Sequence, residues 1–267
     1  YHHDGTYSHI WPSARVCIQK VFPRRDKLLE IAKTETLPQR VLELGSGTGV
    51  LGLAFSMLYD QGEEKETLSA TFTLTDCVAA MPLLRHNGQS NKSTLPPHLK
   101  MHCQPLDWTD RGKKLQEKAT YDLIIGSDLL YNLDLLGDLV QTIQENLAAN
   151  GGILISVRWR KPEEERRFFQ MTSTDGGLDW TLVWSPPDCR HLTWRKFGNP
   201  QHPDSNIYFR QRKIAVDGEL VPLADIDEAM EKKMRDDEHE AFEHSFIQVY
   251  YGRKNDRKRK HDGTHTG

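Results

Sequence analysis

A glycine-rich segment near the start of the chain limits the possible folds most strongly. The apolar run Val41–Leu44 leads straight into Gly45, and glycine recurs at Gly47 and Gly49, so that with Glu43 the segment reads E-x-G-x-G-x-G. The residues that follow carry apolar side chains at helical spacing. Glycine lacks a Cβ and lets the backbone approach a ligand, while the N–H groups of a following helix point at that ligand. The segment therefore predicts a strand, a cofactor-binding turn and a helix.

The glycines alone do not identify the cofactor. Gly47, Gly49 and Gly52 also match the G-x-G-x-x-G fingerprint of dinucleotide-binding folds, so a nicotinamide dinucleotide and S-adenosylmethionine both fit the pattern. Asp76, which ends the second predicted strand, suits the ribose hydroxyls of an adenosine in either case, because a carboxylate accepts two hydrogen bonds from a diol. An adenosine-containing cofactor is expected at this turn.

Short apolar runs alternate with helical patterns along the chain. This arrangement is expected of an α/β fold in which a mostly parallel sheet is built by crossover connections. The predicted strands are Val41–Leu44, Thr71–Thr75, Met101–Leu106, Asp122–Ile125, Gly152–Val157, Trp180–Trp184 and Phe246–Tyr251, with a helix over Leu133–Leu147 that stops at Asn150-Gly151-Gly152. In an open parallel sheet the ligand lies beyond the carboxyl ends of the strands. The polar residues at these ends are therefore the candidate functional residues.

Composition narrows the class of protein. The length of 267 residues suits one large domain, assigned to residues 1–252, and no run approaches the roughly 18 apolar residues that a membrane span needs. Four cysteines without a C-x-x-C pair predict no metal site and a reducing compartment, cytoplasmic or nuclear. A formal net charge of −3 argues against nucleic acid as a partner, except through a basic, disordered tail at residues 253–267. A monomer is expected.

The segment at residues 185–240 loses the regular alternation of strands and helices. Pro186-Pro187 and Gly198-Asn199-Pro200 mark turns, and we interpret the segment as an insertion between the sixth and seventh strands. A helix over Leu223–Met234 is predicted to close it, within the acidic stretch Asp225–Glu243. That stretch is either a solvated face or a surface for a basic region of a protein partner.

Several elements beyond the glycine turn form a set. They are Trp11-Pro12-Ser13-Ala14, Thr75-Asp76, Leu84-Arg-His-Asn87, Leu106-Asp-Trp108, Ser127-Asp128-Leu-Leu-Tyr131 and the stretch from Arg160 through Phe169. With them the chain resembles methyltransferase family sixteen, the lysine-specific seven-β-strand methyltransferases that use S-adenosylmethionine. The resemblance implies a Rossmann-like, doubly wound α/β fold with seven strands in the order 3-2-1-4-5-7-6, the seventh antiparallel.

The resemblance also implies roles for particular residues. The glycine turn with Glu43 would line the methionine part of the cofactor, Asp76 would hold the ribose, and Trp11 and Trp108 would border the cofactor. Asp107 and Trp108 follow the third strand and could flank an adenine, although a tryptophan in the core is an equal alternative. The full predicted set of cofactor-binding residues is Trp11, Glu43, Gly45, Ser46, Gly47, Gly49, Asp76, Asp107, Trp108 and Ser127.

Asp128 and Tyr131 match the D-x-x-Y motif of that family and are the predicted catalytic residues. A lysine amine, with an unperturbed pKa near ~10.4, must lose a proton before it attacks a methyl group. Asp128 would attract and orient the amine, and Tyr131 would line its channel. The segment lacks the two prolines typical of enzymes that methylate exocyclic nitrogens of bases, which argues against a nucleic-acid base as acceptor. The resemblance implies a protein lysine as the acceptor. Histidine, arginine or a small amine as acceptor, a scaffold without catalysis, and a nicotinamide oxidoreductase are the alternatives.

Overall fold

One seven-stranded sheet organises the described part of the protein. The computed structural model describes residues 6–60, 69–110, 115, 120–174, 176–185, 213–216, 219–222 and 247–254. The strands are β1 Arg40–Leu44, β2 Ala70–Asp76, β3 Leu99–Pro105, β4 Tyr121–Ser127, β5 Leu147–Arg158, β6 Leu178–Trp184, β7 Lys213–Val216, β8 Glu219–Pro222 and β9 Ile247–Lys254. All except β7 and β8, which form an antiparallel pair of their own, belong to the main sheet.

The strand order of the main sheet is β3-β2-β1-β4-β5-β9-β6. Strands β1 to β5 are parallel, and β9 is antiparallel to both of its neighbours. Since β9 is the seventh strand of this sheet in chain order, the predicted order 3-2-1-4-5-7-6 is confirmed. The carboxyl ends of β1, β2 and β4 consequently lie side by side at one edge, where a doubly wound fold binds its ligand.

Helices cover both faces of the sheet. The α-helices are α1 Pro12–Val16, α2 Arg25–Ala32, α3 Val50–Ser56, α4 Met81–Ser90, α5 Leu136–Asn146 and α6 Pro162–Thr174, and a π-helical turn, Cys17–Val21, continues α1. Short 3-10 turns lie at Thr6–Ser8, Phe22–Arg24, Met57–Asp60, Val78–Ala80, Lys92–Thr94, Leu129–Tyr131 and Leu133–Leu135. None of these helices is long and apolar enough to cross a membrane.

The core consists of two main clusters because alternate strand residues point to opposite faces of the sheet. Ile124 of β4 packs with the side chains of α5 and α6, including the fully buried Phe168 and Phe169. Its neighbours Leu123 and Ile125 pack on the other face with the side chains of α1 and α3. Both faces are apolar, so the sheet is shielded from water on each side, as in doubly wound folds.

The start of β5 differs from the prediction. The helix expected to include Leu147 ends at Asn146, and Leu147 begins β5. Tyr121 pairs with Leu147 and Leu123 pairs with Gly152, so the intervening residues of β5 form an irregular bulge. A Cβ at Gly151 would lie 3.0 Å from the Tyr121 carbonyl oxygen. This glycine therefore permits a close backbone approach and does not end a helix.

Parts of the predicted insertion and tail lie outside the described residues. These include the helix predicted over Leu223–Met234 and the rest of the acidic stretch Asp225–Glu243, as well as residues 255–267. The pair β7 and β8 falls within the predicted insertion. Strand β9 continues to Lys254, two residues beyond the predicted end of the domain at residue 252.

Candidate active site

The glycine turn between β1 and α3 is a backbone cradle. Gly45, Gly47 and Gly49 have φ angles of +58°, +52° and +78°, a region that residues with a Cβ rarely adopt. A Cβ on Gly45 would lie 2.7 Å from Leu129 Cδ2, and one on Gly47 would lie 3.1 Å from the carbonyl oxygen of Tyr7. The turn needs glycine at these positions for its own conformation and for its close neighbours.

Polar contacts tie this turn to β2 and α4. The Ser46 N–H donates to the Thr75 carbonyl over 2.9 Å, and the Thr75 N–H donates to Ser46 Oγ over 3.0 Å. The Thr75 hydroxyl donates to the Glu43 carbonyl over 2.6 Å, and Asn87 Nδ2 donates to the Thr48 carbonyl over 2.9 Å. Ser46 is buried and bonded to β2, so the structure shows it holding the turn in place.

Glu43 lies beneath the turn, buried against α3. Its Oε2 accepts from the Gly52 N–H over 3.1 Å, and a Cβ at Gly52 would lie only 2.5 Å from that oxygen. Burial raises the pKa of Glu43 to about 8, a rise that hydrogen bonds from Ser46 and Gly52 partly offset. The carboxyl group thus fixes the junction between the turn and α3, and its predicted contact with the cofactor stays a prediction.

Asp76 joins the end of β2 to the glycine turn. Its Oδ2 accepts from the Gly47 N–H and its Oδ1 from the Cys77 N–H, each over 2.7 Å. Each carboxylate oxygen keeps one further lone pair for a diol. Val78 follows two residues later with 66% of its surface exposed at the same edge of the sheet. Val78 was not among the predicted cofactor-binding residues, although its position just after the acid that ends a parallel strand could have suggested it.

The two residues after β3 differ in their surroundings. The Trp108 ring lies beside the glycine turn, where a Cβ on Gly45 would approach its Cζ2 to 3.6 Å, and it also packs against the core. Asp107 Oδ1 accepts from the Thr109 N–H over 3.0 Å and from the Thr109 hydroxyl over 2.7 Å. The structure therefore brings Trp108 to the turn, whereas the hydrogen bonds from Thr109 to Asp107 stabilise the loop after β3.

Asp128 has a constrained backbone at the end of β4. Ser127 is the last residue of β4 and pairs with Ser156 of β5, and the Asp128 N–H then donates to the Ser156 carbonyl over 2.8 Å. The φ angle of Asp128 is +60°, in the left-handed region, and its side chain is buried. Leu129 next to it packs on Gly45, so the turn after β4 contacts the glycine cradle directly. Strain of this kind concentrates at functional sites.

The carboxylate of Asp128 is paired with Arg160, which follows β5. Arg160 Nη1 lies 2.7 Å from Oδ1 and Nη2 lies 2.7 Å from Oδ2, a bidentate ion pair. The Arg160 guanidinium also lies 5.9 Å from the centre of the Trp11 ring, within cation–π range. Arg160 thereby connects Trp11, which caps α1, to the predicted catalytic carboxylate. Arg160 was not among the predicted site residues and entered the prediction only as the first residue of the stretch through Phe169.

Tyr131 stands at the rim of this edge with 52% of its surface exposed. Partial burial raises the pKa of its phenol, and the negative charges of Asp76 and Asp128 contribute to the same rise. The phenol therefore lies within electrostatic reach of both strand-end carboxylates. Strands β1 and β4 are hydrogen-bonded neighbours, with Leu44 opposite Gly126, so the glycine cradle and the D-x-x-Y segment start from adjacent positions.

Several known proteins are similar to this chain. Protein N-lysine methyltransferase METTL21A of Xenopus tropicalis is 34% identical over 131 residues, 49% of this chain and 54% of that protein. METTL21A of Mus musculus is 32% identical over 147 residues, 54% of this chain and 60% of that protein. EEF1A lysine methyltransferase 3 of Xenopus tropicalis is 31% identical over 143 residues, 53% of this chain and 56% of that protein. The chain thus spans between 54% and 60% of the length of these relatives.

A family profile covers the part of the chain that carries the site. The profile described as lysine methyltransferase matches residues 1–175, which is more than half of the 267 residues. The matched region includes β1 to β5, the glycine cradle, the D-x-x-Y segment and Arg160. By this match over most of its sheet and its whole candidate site, the chain belongs to the lysine methyltransferase family.

Proposed function

We propose that this protein transfers a methyl group from S-adenosylmethionine to a lysine side chain of another protein. The observation that carries the proposal is the direct packing of the glycine cradle against the turn that holds Asp128, through Leu129 on Gly45. A cofactor loop that packs against the turn carrying Asp128 suits a transfer between a bound cofactor and a bound amine. Relatives named as lysine methyltransferases support the choice of acceptor.

The residues present fit the proposed cofactor. Gly45 and Gly47 leave open backbone where a Cβ would crowd Leu129 or Tyr7, and Asp76 retains lone pairs for the ribose. The exposed Val78, two residues after Asp76, would contact the adenine.

The chain has to bind, orient and deprotonate the acceptor amine. When bound, S-adenosylmethionine supplies a methyl group on a positively charged sulfur, so the amine needs only a free electron pair and correct alignment. Each oxygen of Asp128 accepts one hydrogen bond from Arg160 and keeps a second lone pair for an amine N–H. The buried position of Asp128 excludes water from one side of the amine, and the exposed Tyr131 would line the approach.

The proposal can be tested by transfer of radioactive methyl groups from labelled S-adenosylmethionine to proteins of a cell extract, followed by mass spectrometry of the labelled residue. Asp128→Asn should reduce labelling at least about tenfold while calorimetry shows retained cofactor binding. Asp134→Asn changes an exposed aspartate six positions later and should label like the unmodified protein. Label on arginine, histidine or a small amine, or full labelling by the Asp128 variant, would contradict the proposal.

The cofactor is tested separately by thermal unfolding. S-adenosylmethionine should raise the midpoint in a concentration-dependent way, because a ligand that binds only the folded state stabilises it. NAD should have no effect. Stabilisation by NAD alone would reject the methyltransferase proposal before any acceptor is sought.

A further inference from the structure

Arg160 is held in place from three directions. Its backbone N–H donates to both carboxylate oxygens of the buried Glu165, over 3.2 and 3.0 Å. Its guanidinium is bonded to Asp128 and lies over the Trp11 ring. Burial lowers the pKa of Arg160, but the hydrogen bonds and charge of Asp128 outweigh burial, and the pKa is raised. The residue therefore places a permanent positive charge at a fixed point beside the predicted acceptor site.

The charge of the site would be different without this arginine. Asp128 and Glu165 are both buried carboxyl groups, and the negative charge of Asp128 contributes to the raised pKa of Glu165, which burial raises most. Among the titratable groups near the pair, Glu165 and Tyr131 each interact with Asp128, Asp76 interacts with Tyr131, and His9 lies against the Trp11 ring. Carboxylates without a counter-charge would hold a lysine as its ammonium ion, which has no electron pair to attack with.

We propose that Arg160 is a positioning residue that offsets the charge of Asp128, so that the acceptor amine binds in its neutral form. The inference rests on the proposed lysine methylation and goes beyond it by assigning the deprotonation to electrostatics. Asp128 supplies the hydrogen-bond acceptor that aligns the amine. Arg160 removes the attraction that would keep the proton on nitrogen, and the proton leaves to solvent. The freed electron pair then forms the nitrogen–carbon bond while the carbon–sulfur bond breaks and its electron pair goes to sulfur.

The expected size of the effect follows from Coulomb's law. A unit charge about 7 Å from the amine, at an effective dielectric constant of about 20, changes the pKa of that amine by about one to two units. Below its pKa, the neutral fraction of an amine falls tenfold for each unit of increase. Removal of the charge of Arg160 should therefore move the rising limb of the pH profile of kcat to higher pH by about one to two units.

Two substitutions separate the charge of Arg160 from its shape. Arg160→Gln can still donate a hydrogen bond to Asp128 but carries no charge, and Arg160→Lys keeps the charge without the planar fork. Arg167→Gln, at an exposed arginine of α6, is the matched control and should behave like the unmodified protein. The substrate is a recombinant form of the protein that the labelling experiment identifies, assayed between pH 7 and 10 with saturating S-adenosylmethionine.

In the glutamine variant the rising limb of the pH profile of kcat should move to higher pH. Its kcat at pH 7 should be lowered about 10- to 100-fold, with KM for the protein substrate unchanged or lower. The lysine variant should return the limb to within about half a unit of the unmodified protein, even with a lower maximum. A purely structural role for Arg160 predicts instead an equal loss at every pH in both variants, and that result would overturn the inference. Absence of lysine methylation by the unmodified protein would reject the proposed function itself, so the two failures are distinct.

Discussion

Replacement of Glu43 by glutamine tests whether the buried carboxyl under the glycine cradle is neutral in the folded protein. Burial raises its pKa from 4.5 to about 8. Between these values the folded chain holds a proton that the unfolded chain has released, so stability falls as pH rises. The contribution of neutral Glu43 to the free energy of unfolding is complete below about pH 4.5. It decreases between about pH 4.5 and pH 8 and is fully lost above about pH 8. At 1.36 kcal/mol per unit, the loss amounts to about 5 kcal/mol.

Glu43→Gln keeps an oxygen that can accept the hydrogen bond from Gly52 but has no proton to release. The unfolding free energy of the variant minus that of the unmodified protein should therefore increase by about 3 to 5 kcal/mol between pH 5 and pH 8. Urea unfolding followed by circular dichroism at pH 5, 6.5 and 8 measures this difference. Glu145→Gln, at an exposed glutamate of α5, is the control, and its unfolding free energy should depend on pH in the same way as that of the unmodified protein. If Glu43→Gln also shows the unchanged pH dependence, the carboxyl group is ionised in the folded protein and the reasoning fails.

Three further substitutions test the packing of the site and the sheet. Gly45→Ala places a Cβ 2.7 Å from Leu129 Cδ2 at a φ of +58°, and calorimetry should show at least about tenfold weaker binding of S-adenosylmethionine. Phe169→Ala empties a fully buried position in the core between the sheet and helices α5 and α6, and should lower the unfolding free energy in urea by about 3 to 5 kcal/mol. Asp122→Ala removes the acceptor of the Arg40 N–H at the opposite edge of the sheet and should cost about 1 kcal/mol with cofactor affinity unchanged, which calorimetry checks.

The sheet could be predicted because local patterns determine most of it. Alternating apolar runs marked all seven strands, and the resemblance supplied their order. The start of β5 could not be predicted, because Leu147 continues the helical spacing of α5 and Asn150-Gly151 has the composition of a helix end. The structure there is determined by the pairing of Leu147 with Tyr121, which lies 26 residues earlier in the chain. Long-range pairing of this kind leaves no local signal.

The candidate site shows the same division. The glycine cradle, Asp76 and Asp128 could be found because parallel strands present their carboxyl ends at one edge. The burial of Glu43 could also have been found, since it shares a face with Val41 in an alternating strand and therefore points toward α3. The ion pair between Asp128 and Arg160 could not, because it depends on how the chain turns after β5.

The contact between the glycine cradle and the turn after β4 explains why substitutions in one affect the other. Leu129 fills the space that a Cβ on Gly45 would occupy, and it packs equally closely on Gly126 at the end of β4. A larger residue at Gly45 would therefore displace Leu129 and, with it, the strained backbone of Asp128. Arg160 resists such a displacement through its bidentate ion pair. In the proposed reaction, the alignment of the amine with the methyl group would thus depend on one packed unit that joins the ends of β1, β4 and β5.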